Sequence, residues 1–172
     1  MGRRILVTYA SHAGSTAGVA EKIGQILRDL GEVAEVKPMN EVTDILGYDA
    51  VVAGSPIQAS RWLPEAMEFM RMNQAALSLK PFATFTLCMT LVMKKGEDYR
   101  PAISEWIAPV RSLVRPVSEG IFAGVLDLKK VPGAGDRLKF KLSILFGVWS
   151  EGDFRNWYAI EKWAAGLPEL LN

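Results

Sequence analysis

A regular alternation of short apolar runs with segments of helical periodicity is the feature that most constrains this fold. The runs have the length and composition of strands, and the segments between them repeat apolar residues every three or four positions. Strands that alternate with helices form a parallel sheet covered by helices on both faces. The sequence therefore predicts an α/β three-layer sandwich whose sheet has five parallel strands in the order 2-1-3-4-5. The predicted strands are 5–9, 33–36, 50–53, 82–89 and 117–126.

The predicted helices follow from apolar spacing and from residues that begin or end helices. Val42, Ile45 and Leu46 suggest a short second helix, and Asp153 is the expected N-cap of a closing helix. No repeat, low-complexity tract or linker interrupts the chain, so we expect a single domain over 1–172. The other predicted helices lie within 19–30, 64–70 and 101–110.

The balance of charge and the scarcity of cysteine and histidine exclude several classes of protein. Among 172 residues, 20 are basic and 19 acidic, which gives no field to attract nucleic acid. The one cysteine, Cys88, cannot form an internal disulfide, and the one histidine, His12, leaves no Cys/His spacing for a metal. The first apolar run is too short for a signal peptide. We therefore expect a cytoplasmic protein with no metal site and no nucleic-acid partner.

The segment between the first strand and the first helix is rich in groups that bind phosphate. Hydroxyls and backbone N–H groups at a helix N-terminus surround an anion well, and the helix dipole adds about half a positive charge. The segment has no lysine or arginine and matches neither the Walker pattern nor the dinucleotide glycine pattern, which favours a mononucleotide. An ordinary capped turn is the alternative, because serine and threonine are common there. His12 is expected to face solvent and to contribute through its backbone. The candidate residues are Ser11, His12, Ala13, Gly14, Ser15 and Thr16.

Two further loops follow the third and fourth predicted strands and must emerge at the same edge of the sheet. Their residues combine apolar side chains with a few amide and hydroxyl groups, as a slot for a flavin ring requires. The alternative is that the Met and Trp side chains belong to the core, where such residues are common. The candidate residues are Ser55, Pro56, Ile57, Gln58, Ala59 and Trp62 in the second loop, and Cys88, Met89, Thr90 and Leu91 in the third.

These loops together resemble the flavodoxin superfamily. The segment 9–16 is similar to its FMN-phosphate signature. The segments 86–95, 122–126 and 152–157 look closest to the flavodoxin-domain branch that contains bacterial quinone-dependent protoporphyrinogen dehydrogenase. The resemblance implies a flavodoxin-like fold, noncovalent FMN, cytoplasmic residence and flavin-mediated transfer of electrons or hydride.

An unusually long connection, 127–151, precedes the closing helix, and its centre predicts an inserted helix over 137–149. We favour a helix packed against the core or against a second copy in a homodimer, because such apolar stretches are usually buried. The other interpretation is peripheral membrane contact, with leucine and aromatic residues in the acyl boundary and lysines at the headgroups.

Two functions follow, and a third is left open. The first is an FMN-dependent oxidoreductase acting on a small organic or quinone partner, with no catalytic side chain nominated because the flavin carries the chemistry. The second is a noncatalytic electron carrier that docks on redox proteins, although a net charge of +1 is unlike the strongly acidic surface that steers such carriers. The third is a flavin-free module with the same fold.

Overall fold

Five parallel strands form the main sheet of the computed structural model, which describes residues 2–131 and 133–172. In chain order these strands are β1 (Arg4–Tyr9), β2 (Val33–Pro38), β3 (Ala50–Gln58), β5 (Phe82–Leu87) and β6 (Ser118–Phe122). They lie in the order β2-β1-β3-β5-β6, and a two-residue strand, β4 (Arg61–Trp62), pairs antiparallel with the end of β3. When the five parallel strands are numbered one to five along the chain, without β4, their order in the sheet is the predicted 2-1-3-4-5. The flavodoxin-like three-layer fold is confirmed.

Helices cover both faces of this sheet. They are α1 (Ser15–Asp29), α2 (Pro64–Met72), α3 (Gln74–Leu77), α4 (Arg100–Leu113), α5 (Ala134–Leu145) and α6 (Trp157–Leu170). Because successive side chains of a strand point to opposite faces, Ile5 and Val7 of β1 pack with α1 and α6, whereas Leu6 packs with α2 and α4. Every residue of β5 is buried, since this strand is covered on both faces.

The predicted second helix over 42–46 is wrong. The chain instead makes a short 3₁₀ helix at Met39–Glu41 and continues without regular structure to β3. The backbone N–H of Leu46 donates to Asp44 Oδ1 over 2.9 Å. Such a side-chain bond to the backbone competes with helix formation. Ile45 is buried although it is not in a helix.

The expected N-cap of the closing helix is also wrong. Helix α6 begins at Trp157, and Asn156 Oδ1 caps it by accepting from the N–H of Ala159 over 3.0 Å. Asp153 lies earlier, in the two-residue strand β8 (Gly152–Asp153), which pairs with β7 (Val125–Leu126). The Arg155 guanidinium binds the Asp153 carboxylate and holds its pKa below the ordinary range.

The inserted helix is present as α5, although it begins and ends earlier than 137–149. No residue of α5 is buried, so the first form of the favoured interpretation, a helix packed against the core, is wrong. Its second form, a helix packed against a second copy in a homodimer, stays a prediction. The fifth predicted strand, 117–126, is divided into β6 and β7 by a break at Ala123 and Gly124. Within the residues that the structure describes, no helix has both the length and the apolar character needed to cross a membrane.

Candidate functional site

A cleft of about 460 Å³ opens at the carboxyl edge of the sheet, where the three predicted loops meet. The carboxyl ends of parallel strands lie at one edge, and ligands collect there beside the switch point between β1 and β3. The volume is that of a small-molecule site. The predicted residues that line it are Ser11, His12, Ala13, Ser15 and Thr16 from the first loop, Pro56, Ile57, Gln58 and Ala59 from the second, and Met89 from the third.

The first loop is shaped by Gly14, which precedes α1 with a left-handed φ of 86°. The N–H of Gly14 donates to Ser11 Oγ over 3.0 Å, so the Ser11 hydroxyl closes the turn and keeps its own hydrogen for another acceptor. The N–H groups of Ser15 and Thr16 have no acceptor among the described residues, as is usual at the start of a helix. These two free donors lie at the positive end of the α1 dipole.

The Thr16 hydroxyl is the most informative atom of this loop. Thr16 is fully buried and lines the cleft, yet its Oγ1 has no hydrogen-bond partner among the described residues. An unpartnered buried hydroxyl costs about 1–3 kcal/mol, so such atoms are uncommon unless a ligand supplies the partner. The loop therefore satisfies the requirements of an anion site: free amides, an orphaned hydroxyl and a helix N-terminus.

The side chain of His12 extends across the mouth of the first loop to α2. Its Nε2 lies 2.7 Å from Glu65 Oε1, and both side chains are exposed. This hydrogen-bonded contact connects the loop to the helix that follows the second loop. Glu65 carries no sequence signal for this role, because the pair depends on the packing of α2.

The second loop is a tight hairpin between β3 and β4. Ala59 and Ser60 form its turn with positive φ angles of 49° and 58°. Two-residue hairpin turns of this hand require positive φ at both central positions, which residues other than glycine adopt only with strain. The hairpin carries Gln58 and Ala59 to the rim of the cleft. Its base is fixed by Ser55, whose hydroxyl accepts from the N–H of Leu63 over 3.0 Å.

Six of the predicted site residues do not line the cleft. Ser55, Trp62 and Cys88 are buried, and they hold the second and third loops on the core instead. Thr90 and Leu91 are half-buried in a 3₁₀ helix, Met89–Val92, that follows β5. Gly14 contributes to the first loop through its left-handed backbone conformation.

One wall of the cleft was missed by the sequence prediction. Helix α5 folds back over the cleft and contributes an acidic, a basic, an aromatic and a hydroxyl side chain, and the turn after β6 contributes Gly124. Lys139, which pairs with Asp136 over 3.4 Å, is the only lysine or arginine among the described lining residues. The sequence signal that could have predicted this wall is the position of the insertion, directly after the last strand of the sheet. The missed residues are Leu63, Leu87, Gly124, Val125, Leu126, Val131, Asp136, Lys139, Phe140 and Ser143.

A family model described as a flavodoxin domain matches residues 6–144. The chain belongs to the flavodoxin domain family. The match includes all three loops and most of α5. Membership of this family supports the predicted FMN cofactor and a general role in electron transfer. No curated protein sequence matches the chain.

Solved structures show the same fold at low sequence identity. A flavodoxin of Fusobacterium nucleatum bound to flavin mononucleotide is 11% identical over 99% of both chains, with a TM-score of 0.59. A short-chain flavodoxin associated with a bacterial microcompartment is 15% identical over 99% of both chains, with a TM-score of 0.63. Rubredoxin oxygen:oxidoreductase from Desulfovibrio gigas is 16% identical, with a TM-score of 0.52, over 98% of this flavodoxin-domain chain and 37% of that chain. At these identities the likeness concerns the fold alone.

Proposed function

We propose that this chain binds one FMN noncovalently in the cleft and transfers electrons or hydride between a cytoplasmic donor and a small organic or quinone partner. The observation that carries the proposal is the orphaned Thr16 hydroxyl beside the free amides at the start of α1. These groups need an acceptor-rich ligand, and the phosphate of FMN supplies acceptor oxygens only.

The phosphate is assigned to the first loop. The hydroxyls of Ser11, Ser15 and Thr16, together with the N–H groups of Ser15 and Thr16, are the donors for it. Since the loop has no lysine or arginine, neutral donors and the helix dipole are assigned to balance the phosphate charge.

The flavin ring is assigned to the space between the second and third loops. Ile57 and Met89 offer apolar walls, and Gln58 offers an amide for the polar edge of the ring. Bound FMN supplies the electron and hydride chemistry, while the protein binds it, orients it and limits its contact with water. We assign no acid or base to a side chain of this chain.

The small organic or quinone partner is assigned to the part of the cleft beneath α5. There Asp136, Lys139 and Ser143 add polar groups to an otherwise apolar wall. A cleft covered by a helix suits a small partner better than the face of a large redox protein. This favours an oxidoreductase over a docking carrier. Within the family, the resemblance of the loops to the protoporphyrinogen dehydrogenase branch makes porphyrinogens and quinones the first substrates to test.

Two measurements test the proposal. A visible absorption spectrum of the purified protein, with and without added FMN, should show bound flavin with a resolved, shifted absorption band. A colourless protein with no affinity for FMN would contradict both the oxidoreductase and the carrier. Steady-state turnover with quinones, porphyrinogen and NAD(P)H then separates the two, because an enzyme turns over a particular small substrate with saturation, whereas a carrier serves a protein acceptor.

A further inference from the structure

Helix α5 presents two chemically different faces. Asp136, Lys139, Phe140 and Ser143 face the cleft. On the opposite side, Leu138, Leu142 and Leu145 are exposed by 58%, 47% and 78%. These three leucines, here named the leucine stripe, are spaced four and three residues apart, which places them in one row along the helix.

The leucine stripe is an apolar helix face that no other part of the described chain covers. A helix of a water-soluble domain normally turns such a row inward, because each leucine taken out of water stabilises the folded state. Here Phe140 and Ser143 are half-buried on the cleft side of α5, whereas the leucines point outward and are exposed. Phe146, directly after α5, extends the row and is 78% exposed. A contiguous exposed patch of this kind marks an interaction surface.

Basic residues border the leucine stripe. The segment 127–151 contains five basic and three acidic residues, a net charge of +2, whereas the whole chain carries +1. Arg137 and Lys141 lie beside the stripe on α5, and both are exposed. Lys129 and Lys130 precede the helix, and both are also exposed. The apolar surface is thus bordered along α5 by two exposed cations, within a segment of net positive charge.

From this arrangement we propose that α5 docks the protein on the surface of an anionic lipid bilayer. The leucine stripe enters the acyl boundary, and the flanking lysine and arginine side chains contact the headgroups. A second copy fits less well, because each chain would bring its own exposed Arg137 and Lys141 to the same contact, where like charges repel. Docking in this orientation places the cleft, on the other side of α5, next to the bilayer. The inference goes beyond the proposed flavin chemistry and does not require it.

Vesicle flotation of the full chain tests the proposal. Vesicles of phosphatidylcholine with about 30% phosphatidylglycerol should bind the protein, pure phosphatidylcholine should bind it less, and added salt should weaken the binding. The double variant Leu138→Ser/Leu145→Ser should bind at least about tenfold more weakly, because two exposed leucines lose their apolar contact with the bilayer. The matched control is Leu46→Ser/Leu79→Ser, which changes two leucines that are 74% and 88% exposed elsewhere on the surface. It should bind as the unchanged protein does.

Failure of the unchanged protein to bind anionic vesicles would overturn the proposal, as would equal binding by both double variants. Light scattering of the protein without lipid separates the second copy from the bilayer. A dimer that only the Leu138→Ser/Leu145→Ser variant abolishes, together with absent vesicle binding, would assign the stripe to self-association. Circular dichroism confirms that both variants remain folded, which is expected because the replaced side chains are exposed.

Discussion

Trp62 Nε1 donates a hydrogen bond to Thr86 Oγ1 over 2.9 Å, and both residues are buried. This contact joins the hairpin that follows β3 to the neighbouring strand β5. It connects the second loop of the cleft with the strand that leads to the third. This side-chain bond adds to the backbone pairing of β3 with β5, which continues to Pro56 and Leu87 beside the two walls assigned to the flavin ring.

Breaking this contact is expected to lower stability. Trp62→Phe leaves the Thr86 hydroxyl without a donor in the core and opens a small void, so the free energy of unfolding should fall by about 2–3 kcal/mol. Thr86→Val should cost about 1–2 kcal/mol, because the indole N–H is then unpaired. Urea denaturation of both variants and of the double variant measures the coupling, which we expect to be about 1 kcal/mol. Strict additivity would show that the bond does not contribute.

Thr16→Val should separate stability from cofactor binding. Removing an unpartnered buried hydroxyl should leave the FMN-free protein as stable or about 1 kcal/mol more stable. FMN affinity should fall about 10- to 100-fold, because a hydrogen bond to a charged phosphate is lost. Fluorescence titration with FMN and thermal unfolding measure the two effects.

Thr8→Val is the matched control, since Thr8 Oγ1 is also buried without a described partner but does not line the cleft. Thr8→Val should change the stability of the FMN-free protein as Thr16→Val does, and it should leave FMN affinity unchanged. Equal losses of affinity in both variants would contradict a direct contact between the Thr16 hydroxyl and the phosphate.

Gly14→Ala should weaken FMN binding through the backbone. Gly14 and Gly31 have similar left-handed φ angles of 86° and 90°, and a Cβ atom meets nothing within 4 Å at either position. Both alanine variants should therefore lose about 1 kcal/mol of stability. Only Gly14→Ala should lower FMN affinity, because only that glycine turns the amides of α1 toward the cleft. Fluorescence titration with FMN measures the affinity of both variants. A comparable loss of FMN affinity in Gly31→Ala would contradict the role assigned to Gly14.

Ser60→Gly is expected to stabilise the protein by about 0.5–1 kcal/mol. Ser60 has a φ of 58° in the hairpin turn, a conformation that glycine adopts without steric strain. Arg61→Gly, one residue later in β4, is the control and should be destabilising because its backbone is extended. Thermal unfolding of the two variants should show shifts of opposite sign. A destabilised Ser60→Gly variant would mean that the turn is not strained.

Acid should weaken the contact between Arg3 and Glu32. The Arg3 side chain binds the Glu32 carboxylate and lowers its pKa below the ordinary value of 4.5. A lowered folded pKa means that the stabilisation is complete above the unfolded pKa and is lost as pH falls through the lower folded value. Unfolding free energy measured across this acidic range should fall less steeply in Glu32→Gln than in the unchanged protein. Parallel pH profiles would contradict the assignment.

Local patterns were sufficient for most of the fold, but they failed where a side chain determines a turn. The five strands and the order of the sheet followed from apolar runs and from the rules of parallel sheets. The helix expected over 42–46 failed because Asp44 bonds to the backbone of Leu46. Asp153 was mistaken for a helix cap because Asn156, three residues later, has the same capping chemistry and lies at the true start of α6.

The sequence by itself determined that three loops converge at one edge of a parallel sheet, because the carboxyl ends of parallel strands meet there whatever their side chains. It also identified the first loop, since its hydroxyls and glycine are contiguous in the chain. Only the tertiary structure decided that Trp62 and Cys88 turn into the core, that Thr16 is left without a partner, and that α5 covers the cleft with its leucines outward. Those outcomes depend on packing between segments distant in sequence, which no local periodicity records.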